Sequence, residues 1–204
     1  MIELCNISKK LGSKQLFADF SITIPDNSFV IITGESGCGK TTLLNIIGGI
    51  EHADSGNILF NGKDIKNYSK RIFYRDEVGF LFQNFALIEN QSVEHNLMLL
   101  PRKAQTHYDL HQALDLVGLN GYEKKKVYQL SGGEQQRVAL ARLILKKSNV
   151  ILADEPTGSL DERNSSIVMQ HLHAFNKQSK TVIMVTHDKS LLKDATMTID
   201  LNEI

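Results

Sequence analysis

Only two cysteines, Cys5 and Cys38, occur in the chain, so no disulfide framework is available and a reducing compartment suits it. Charge of one sign is lacking too. Lysine and arginine number 23 against 23 acidic side chains, which leaves no basic footprint for nucleic acid; any polyanion must be gripped locally. Long apolar runs are missing: stretches such as Val150–Ala153 and Val182–Val185 are far too short to span a bilayer. Met1–Leu4 lacks the charged-then-apolar layout of a secretion signal. No internal repeat or low-complexity linker interrupts the 204 residues, and a hydrophobic content of 42% suffices for a core. These absences predict a cytoplasmic globular chain of one large domain, or a core with a lobe inserted into it.

What is present is a set of short apolar runs with polar endings. Phe29–Ile32 runs into Gly34, Val150–Ala153 into Asp154-Glu155, and Thr181–Val185 into Thr186-His187-Asp188. Continuous β-branched runs separated by helical segments read as buried parallel strands, hence an α/β fold, and ligands in such sheets bind beyond the carboxyl ends. Phe20–Ile24 alternates and stops at Pro25-Asp26-Asn27, which predicts a half-exposed antiparallel strand and a small β-layer beside the parallel core. Between Phe85 and Lys126 helical spacing takes over (Val93, Leu97, Leu100; Ala113, Leu114, Val117), as in an inserted helical lobe.

Two stretches point to anion binding. Gly34-Glu35-Ser36-Gly37-Cys38-Gly39-Lys40-Thr41 fits G-x-x-x-x-G-K-[ST] without exception and leads into a helix from Thr42. Its glycines let backbone N–H groups curl round phosphate oxygens, Lys40 adds a point charge, and the Thr41 hydroxyl can reach Mg²⁺. A bulky adduct on Cys38 is expected to block nucleotide binding. The second stretch is Ser131-Gly132-Gly133-Glu134, where Ser131 and Glu134 make a capping box and the glycines leave N–H groups bare at a helix start. Asp154 can hold a magnesium shell and Glu155 beside it can polarise an attacking water. His187 ends a neighbouring run and suits a γ-phosphate contact; Gln83 after Val78–Phe82 is a weaker candidate. His107 and His111 lie four apart on a predicted helix without a third metal ligand, His171 and His173 would diverge on one, and Lys124–Lys126 reads as a solvated loop.

Together these motifs resemble the ATP-binding cassette (ABC) ATPases. Gly34–Thr41 is similar to a Walker A motif, Val150–Glu155 to a Walker B, and Leu130–Gln135 to the family signature; Gln83 falls at the Q-loop, Ser159-Leu160-Asp161 at the D-loop and His187 at the switch histidine. The resemblance implies a P-loop NTPase with a RecA-like parallel core (1–84 and 149–204) and a helical lobe at about 85–148, binding ATP and Mg²⁺. The implied nucleotide-binding set is residues 34–42 with Ser131, Gly132, Gly133, Glu134, Asp161 and Leu11; Thr41, Gln83 and Asp154 would face the metal, and Glu155, His187 and Gln83 the chemistry. It further implies a head-to-tail homodimer, in which Ser131 and Gly133 of one copy reach the γ-phosphate held by Lys40 of the other and Asp161 crosses the interface.

Ala153–Asp161 and Leu130–Ala139 resemble the MacB/LolD/FtsE group. Its members export peptides, bacteriocins or antibiotics, release lipoproteins, or act in cell division, beneath a separate membrane permease. That resemblance implies a peripheral position on the inner face of the cell membrane and a permease contact along Gln83–Asn96, including Phe85, Leu87 and Ile88. With 17 residues after His187 in this sequence, a regulatory domain of the sugar-importer kind is not expected. The family's soluble members form the competing reading. A long coiled-coil arm does not fit the 91 residues separating Lys40 from Ser131, whereas an iron–sulfur assembly ATPase, or a mechanotransmission ATPase that moves no cargo, stays open. One departure is Leu11, where the family places an adenine-stacking aromatic. Losing such a partner costs roughly 1 kcal/mol, so modest base selectivity is expected.

Overall fold

The computed structural model describes residues 1–203. In chain order its elements are β1 (Ile2–Leu11), β2 (Lys14–Ile24), β3 (Phe29–Thr33), α1 (Lys40–Ile47), β4 (Ser55–Phe60), β5 (Lys63–Asp64) and a single turn α2 (Lys70–Ile72) that runs into a π-helical turn (Phe73–Glu77). Then follow β6 (Val78–Leu81), α3 (Val93–Met98), α4 (Leu110–Leu116), α5 (Gly132–Leu145), β7 (Val150–Asp154), α6 (Glu162–Lys177), β8 (Thr181–Val185) and β9 (Met197–Asp200). Five strands pair in parallel in the order β6-β7-β8-β3-β9; four pair antiparallel in the order β2-β1-β4-β5.

The parallel strands are apolar on both sides because both faces are covered. Alternation across the pleat divides them. Phe29, Ile31, Ile151, Ala153, Val182 and Met184 face the core shared with α3–α6. Val30, Ile32, Val150, Leu152, Ile183 and Val185 face α1 and the inner side of the antiparallel sheet. Helix α1 is therefore held between two sheets, which fixes its N-terminus over the parallel strand ends. Register makes those ends level: Ile32 of β3 and Asp154 of β7 both pair with Val185 of β8, and one row earlier Leu81, Ala153, Met184 and Ile31 stand side by side. The loops bearing Lys40, Glu155, His187 and Gln83 leave the sheet at nearly one height.

The α/β reading agrees with this architecture, and several local expectations are corrected. The strand expected at Phe20–Ile24 begins at Lys14, because β2 pairs with β1 along most of its length. The helical spacing beyond Phe85 yields α3 and α4 with irregular chain around them; Leu100 lies past α3. His107 precedes α4, so it does not share a helix with His111, which instead bonds Glu123 at 3.1 Å. No cluster of three metal-ligating side chains exists among the described residues. His171 bonds the Leu116 carbonyl and His173 stacks on Phe29, both structural uses. Lys124–Lys126 is the loop expected, with Lys124 and Lys125 exposed; Lys124 pairs with Glu94 and Lys125 lies over the Tyr122 ring.

The segment after β6 owes its shape to one buried amide. Asn96 is fully enclosed; its Oδ1 accepts the Ile88 N–H at 2.7 Å, and its Nδ2 donates to the carbonyls of Ile88 and Ser92 at 3.1 and 3.0 Å. Truncation would remove three hydrogen bonds that hold the Ile88 and Ser92 backbone and leave a small cavity at a fully buried position, a loss of about 1–3 kcal/mol. Asn96→Ala is expected to lower unfolding free energy by about 2 kcal/mol in urea titration and to speed proteolysis within residues 84–91.

Candidate functional site

The turn from β3 into α1 is built to leave backbone donors free. Gly39, the N-cap of α1, has φ +105° and no side chain caps the helix, so its first N–H groups and positive dipole end face the loop interior. Gly34 has φ +145°, and a Cβ there would stand 2.7 Å from Cys38 Sγ. Any side chain at that position is both strained and blocked. Lys40 Nζ donates to the carbonyls of Gly34 and Glu35, each at 2.8 Å, which curls the loop around its own lysine. Lys14 Nζ donates to the Gly37 carbonyl at 2.9 Å, and Asn202 Oδ1 accepts the Glu35 N–H at 3.0 Å.

Across β8 lie the carboxylates. Thr41 Oγ1 donates to Asp154 Oδ1 at 3.0 Å, joining the glycine loop to the end of β7. Burial and the neighbouring Glu155 push the Asp154 carboxyl up from the ordinary carboxylate range, against the Thr41 bond and Lys40, which pull it down. A hydroxyl and a desolvated carboxylate within hydrogen-bond reach form a hard-oxygen donor pair of the kind that would suit Mg²⁺. Glu155 has φ +44°, an uncommon conformation for a residue with a Cβ, held by its N–H donating to the Val185 carbonyl at 3.0 Å. The turn aims its carboxylate at His187: Oε2 lies 2.9 Å from Nδ1, with the Glu155 side chain 14% and the His187 side chain 69% exposed.

A cleft of about 340 Å³ runs between these parts, bordered by Ser36, Gly37, Gly39, Lys40, Thr41 and Thr42 on one side and Gln83, Glu155 and His187 on the other. Leu11 and Leu16, at the end of the β1–β2 hairpin, form its outer wall, with Leu11 63% exposed. Phe17 is buried beneath that wall and presents no ring to the cleft.

The Ser131–Glu134 turn does not border this cleft. Ser131 Oγ accepts the Glu134 N–H at 3.3 Å and Glu134 Oε2 accepts the Ser131 N–H at 2.8 Å, the reciprocal box expected from the spacing. Glu134 Oε1 also accepts from the Tyr122 hydroxyl at 2.9 Å, and these bonds hold its carboxyl below the usual range. Its side chain is thus committed to the cap, while no side chain accepts from the N–H of Gly132 or Gly133 among the described residues. Asp161 likewise caps α6, accepting the Asn164 N–H at 2.7 Å.

With that geometry in view, the family profile described as "ABC transporter" matches residues 17–158. The chain belongs to the ABC transporter family. It is an ATP-binding cassette, the ATPase part of such machines. It is 41% identical to the spermidine/putrescine import ATP-binding protein PotA of Spiroplasma citri over 93% of this chain and 55% of that protein. It is 35% identical to the macrolide export ATP-binding/permease protein MacB of Campylobacter jejuni (serotype O:2) over 100% of this chain and 33% of that one. The chain thus spans about half of PotA and a third of MacB. A dimeric structure of the ATP-binding cassette MJ0796 bound to ADP and Pi superposes with a TM-score of 0.84 at 32% identity, covering 98% of this chain and 94% of that one. The match to MacB along the whole of this chain and the MJ0796 fold agree with the MacB/LolD group that the motifs resemble. An importer and an exporter stand side by side among the relatives, so identity carries no direction of transport.

Several cassette residues at or beside the cleft escape sequence reasoning. Lys14 and Asn202 brace the glycine loop from distant parts of the chain, and no local pattern marks them. Leu16 and Gly158 border the cleft; Gly158 sits in the Pro156–Ser159 turn next to Glu155, a signal visible only once the turn is known.

The raised Asp154 carboxyl has a thermodynamic consequence. A folded-state value above the unfolded one means that ionised Asp154 opposes folding once pH exceeds the carboxylate range. Asp154→Asn keeps an acceptor for Thr41 and is expected to raise the melting temperature of the nucleotide-free cassette at pH 7. That gain should shrink as pH falls through the carboxylate range, and calorimetry across pH 3–8 reads it. The same variant is expected to lose the Mg²⁺-dependent increase in nucleotide affinity.

Proposed function

We propose that this cassette hydrolyses ATP between two head-to-tail copies and passes the resulting closure and opening to a membrane permease. One observation carries the reading: the chain has two glycine-rich helix starts, and only one of them borders the cleft. The uncapped start of α1 lies at Lys40, whereas the Gly132-Gly133 start of α5 faces elsewhere. A two-fold pair brings the second start of each copy to the cleft of the other. The dimeric MJ0796 cassette structure at a TM-score of 0.84 supports such pairing.

In that reading the loop 34–42 binds the phosphates, with Lys40 leaving its carbonyl partners for the β- and γ-oxygens. Thr41, Asp154 and Gln83 would hold Mg²⁺, which when bound would offset charge on the β- and γ-phosphates. Glu155 takes a proton from a water whose oxygen attacks the γ-phosphorus, the bond to the β-phosphate oxygen breaks, and ADP and phosphate leave. His187 holds the Glu155 carboxylate at 2.9 Å and stands ready to contact the γ-phosphate. Ser131 and Gly133 of the other copy complete the phosphate cage. Aliphatic Leu11 and Leu16 offer the adenine a flat apolar wall without a stacking ring.

No helix among the described residues is long and apolar enough to cross a membrane, so coupling to a bilayer requires a partner or a further segment. A groove of about 480 Å³ between the α2 turn and the chain beyond α3 suits one. Leu100 and Pro101 line it, and Arg71, Arg102, Lys103 and Lys146 surround it, with Arg75 already paired to Asp76, a local concentration of cations in a chain without net charge. Phe85 and Leu87 of the expected contact region pack against the lobe core, while Ile88 stays exposed. The groove takes an acidic amphipathic cytoplasmic segment of the permease; its concave apolar floor fits a peptide better than a flat bilayer surface. The likeness of Ala153–Asp161 and Leu130–Ala139 to the MacB/LolD group, rather than overall identity, favours export or release of a peptide, antibiotic or lipoprotein, worked from the inner face of the cell membrane.

Glu155→Gln is expected to lower kcat at least about a hundredfold while ATP still drives dimerisation, read by light scattering. Ser131→Arg is expected to spare ATP binding to the monomer and abolish both dimerisation and turnover; surviving turnover would overturn the two-copy reading. For the groove, a short amphipathic peptide with an acidic face should bind in a salt-sensitive manner and lose affinity in Arg71→Glu/Arg102→Glu. Binding should also weaken above pH 8, because burial and Lys180 lower Lys146 to about 8 and its charge is lost beyond that. Equal binding of a basic-faced peptide would refute the groove assignment.

A further inference from the structure

Between Glu155 and Asn164 the chain runs from the carboxylate beside His187 to the cap of α6, and both ends of this segment are tied to the start of α5 in the same copy. Gln136 is 1% exposed, and its Nε2 donates to the carbonyl of Pro156, the residue after Glu155, at 2.8 Å. A carbonyl only accepts, so the amide nitrogen must face it and Gln136 Oε1 is left buried with no partner. Enclosing an amide with one end unpaired is unfavourable, and an apolar side chain of this size would suit the site better for stability alone. What glutamine adds is a directed bond to the backbone next to Glu155.

The second tie comes from Arg137. Its Nη1 donates to Asn164 Oδ1. Asn164 in turn donates from Nδ2 to Asp161 Oδ2 at 2.8 Å and from its backbone N–H to Asp161 Oδ1 at 2.7 Å. Gly133 closes the same contact: a Cβ there would stand 2.6 Å from Asn164 Nδ2, so the second glycine of the turn is needed for packing as well as for free N–H groups. The first turns of α5 therefore grip Pro156 through Gln136, and Asp161 through Arg137 and Asn164. Residues 132–145 form one continuous helix, so a displacement at Gly133 moves both grips together.

We propose that Gln136 and Asn164 are positioning residues that join the Ser131–Gly133 end of α5 to Glu155 and Asp161 of the same chain, so that ATP contacted in the partner copy's cleft sets the carboxylate in this copy's own cleft. The inference rests on the head-to-tail reading above. It assigns the coupling of the two sites to a path inside each copy, in addition to any contact across the interface.

The test uses the full chain and separates the two ideas. In a Glu155→Gln background, light scattering first establishes whether ATP drives dimerisation; no dimer would overturn the head-to-tail reading and this inference with it. Given a dimer, Gln136→Leu in that background should dimerise at the same ATP concentration. With Glu155 intact, Gln136→Leu should lower kcat about tenfold with KM within about twofold, and bring the Hill coefficient for ATP from above 1 to near 1. Its melting temperature should stay within about 3 °C of wild type, a result that a merely structural role would not give. Asn164→Ala, outside the buried core, should reproduce the loss of cooperativity if Gln136→Leu fails to fold. Unchanged kcat and Hill coefficient, or a fall in turnover matched by lost dimerisation, would overturn the proposal while leaving the head-to-tail reading standing.

Discussion

Strand β8 pairs in parallel with β3 on one side and β7 on the other, and the geometry of the cleft depends on that double pairing. Val185 is the shared register point: Ile32 and Asp154 both stand opposite it, so the glycine loop and the carboxylates leave the sheet at the same level. Were β3 and β7 direct neighbours, no strand would stand between Lys40 and Glu155 to place His187 there. The intervening strand also supplies the carbonyl that pins Glu155 in its left-handed turn. A one-residue slip would turn each inward side chain to the other face of the sheet and disrupt both cores at once, which is why the register is firmly specified.

Two helix starts of similar composition serve different ends because their caps differ. Helix α1 begins at a glycine with no capping side chain, so its donors await an anion from outside the chain. Helix α5 begins at a satisfied box of Ser131 and Glu134, which anchors the turn while leaving the N–H groups of the two glycines free. The first arrangement suits a resident phosphate; the second suits a surface that meets phosphate only when another molecule presents it. Attachment of α5 to Pro156 and Asn164 then makes that surface mechanically part of the segment that carries Glu155 and Asp161.

How much could be read in advance varied with the range of the interaction responsible. The runs at Phe29, Val150 and Thr181 announced buried parallel strands because a sheet covered on both faces needs apolar residues at every position. The capping box at Ser131 was legible because it closes within four residues. By contrast β1, β4 and β9 carry no comparable run, since each exposes one face or lies at an edge. His107 separated from the helix of His111 because Asp109 starts α4 with its own box to Gln112, a competing local signal. Phe17 lies near Leu11 in sequence, yet strand alternation turns it into the core.

The sequence by itself determined the chemistry on offer: a glycine loop with Lys40 and Thr41, paired carboxylates after an apolar strand, a histidine after another, and a second glycine-rich helix start. Those features are local, set by spacing within a strand, a turn or a cap, and a linear reading reaches them. Tertiary structure alone decided which of them meet. Thr41 meets Asp154 and Glu155 meets His187 because sheet order and register bring distant loops together, and no pattern along the chain encodes a strand order. It likewise decided that Glu134 is spent on a cap, that Asn96 is buried as a brace, and that the two anion-binding turns of one chain lie apart. In the proposed two-copy assembly, that separation is the physical reason a single cassette would hold half of each of two sites.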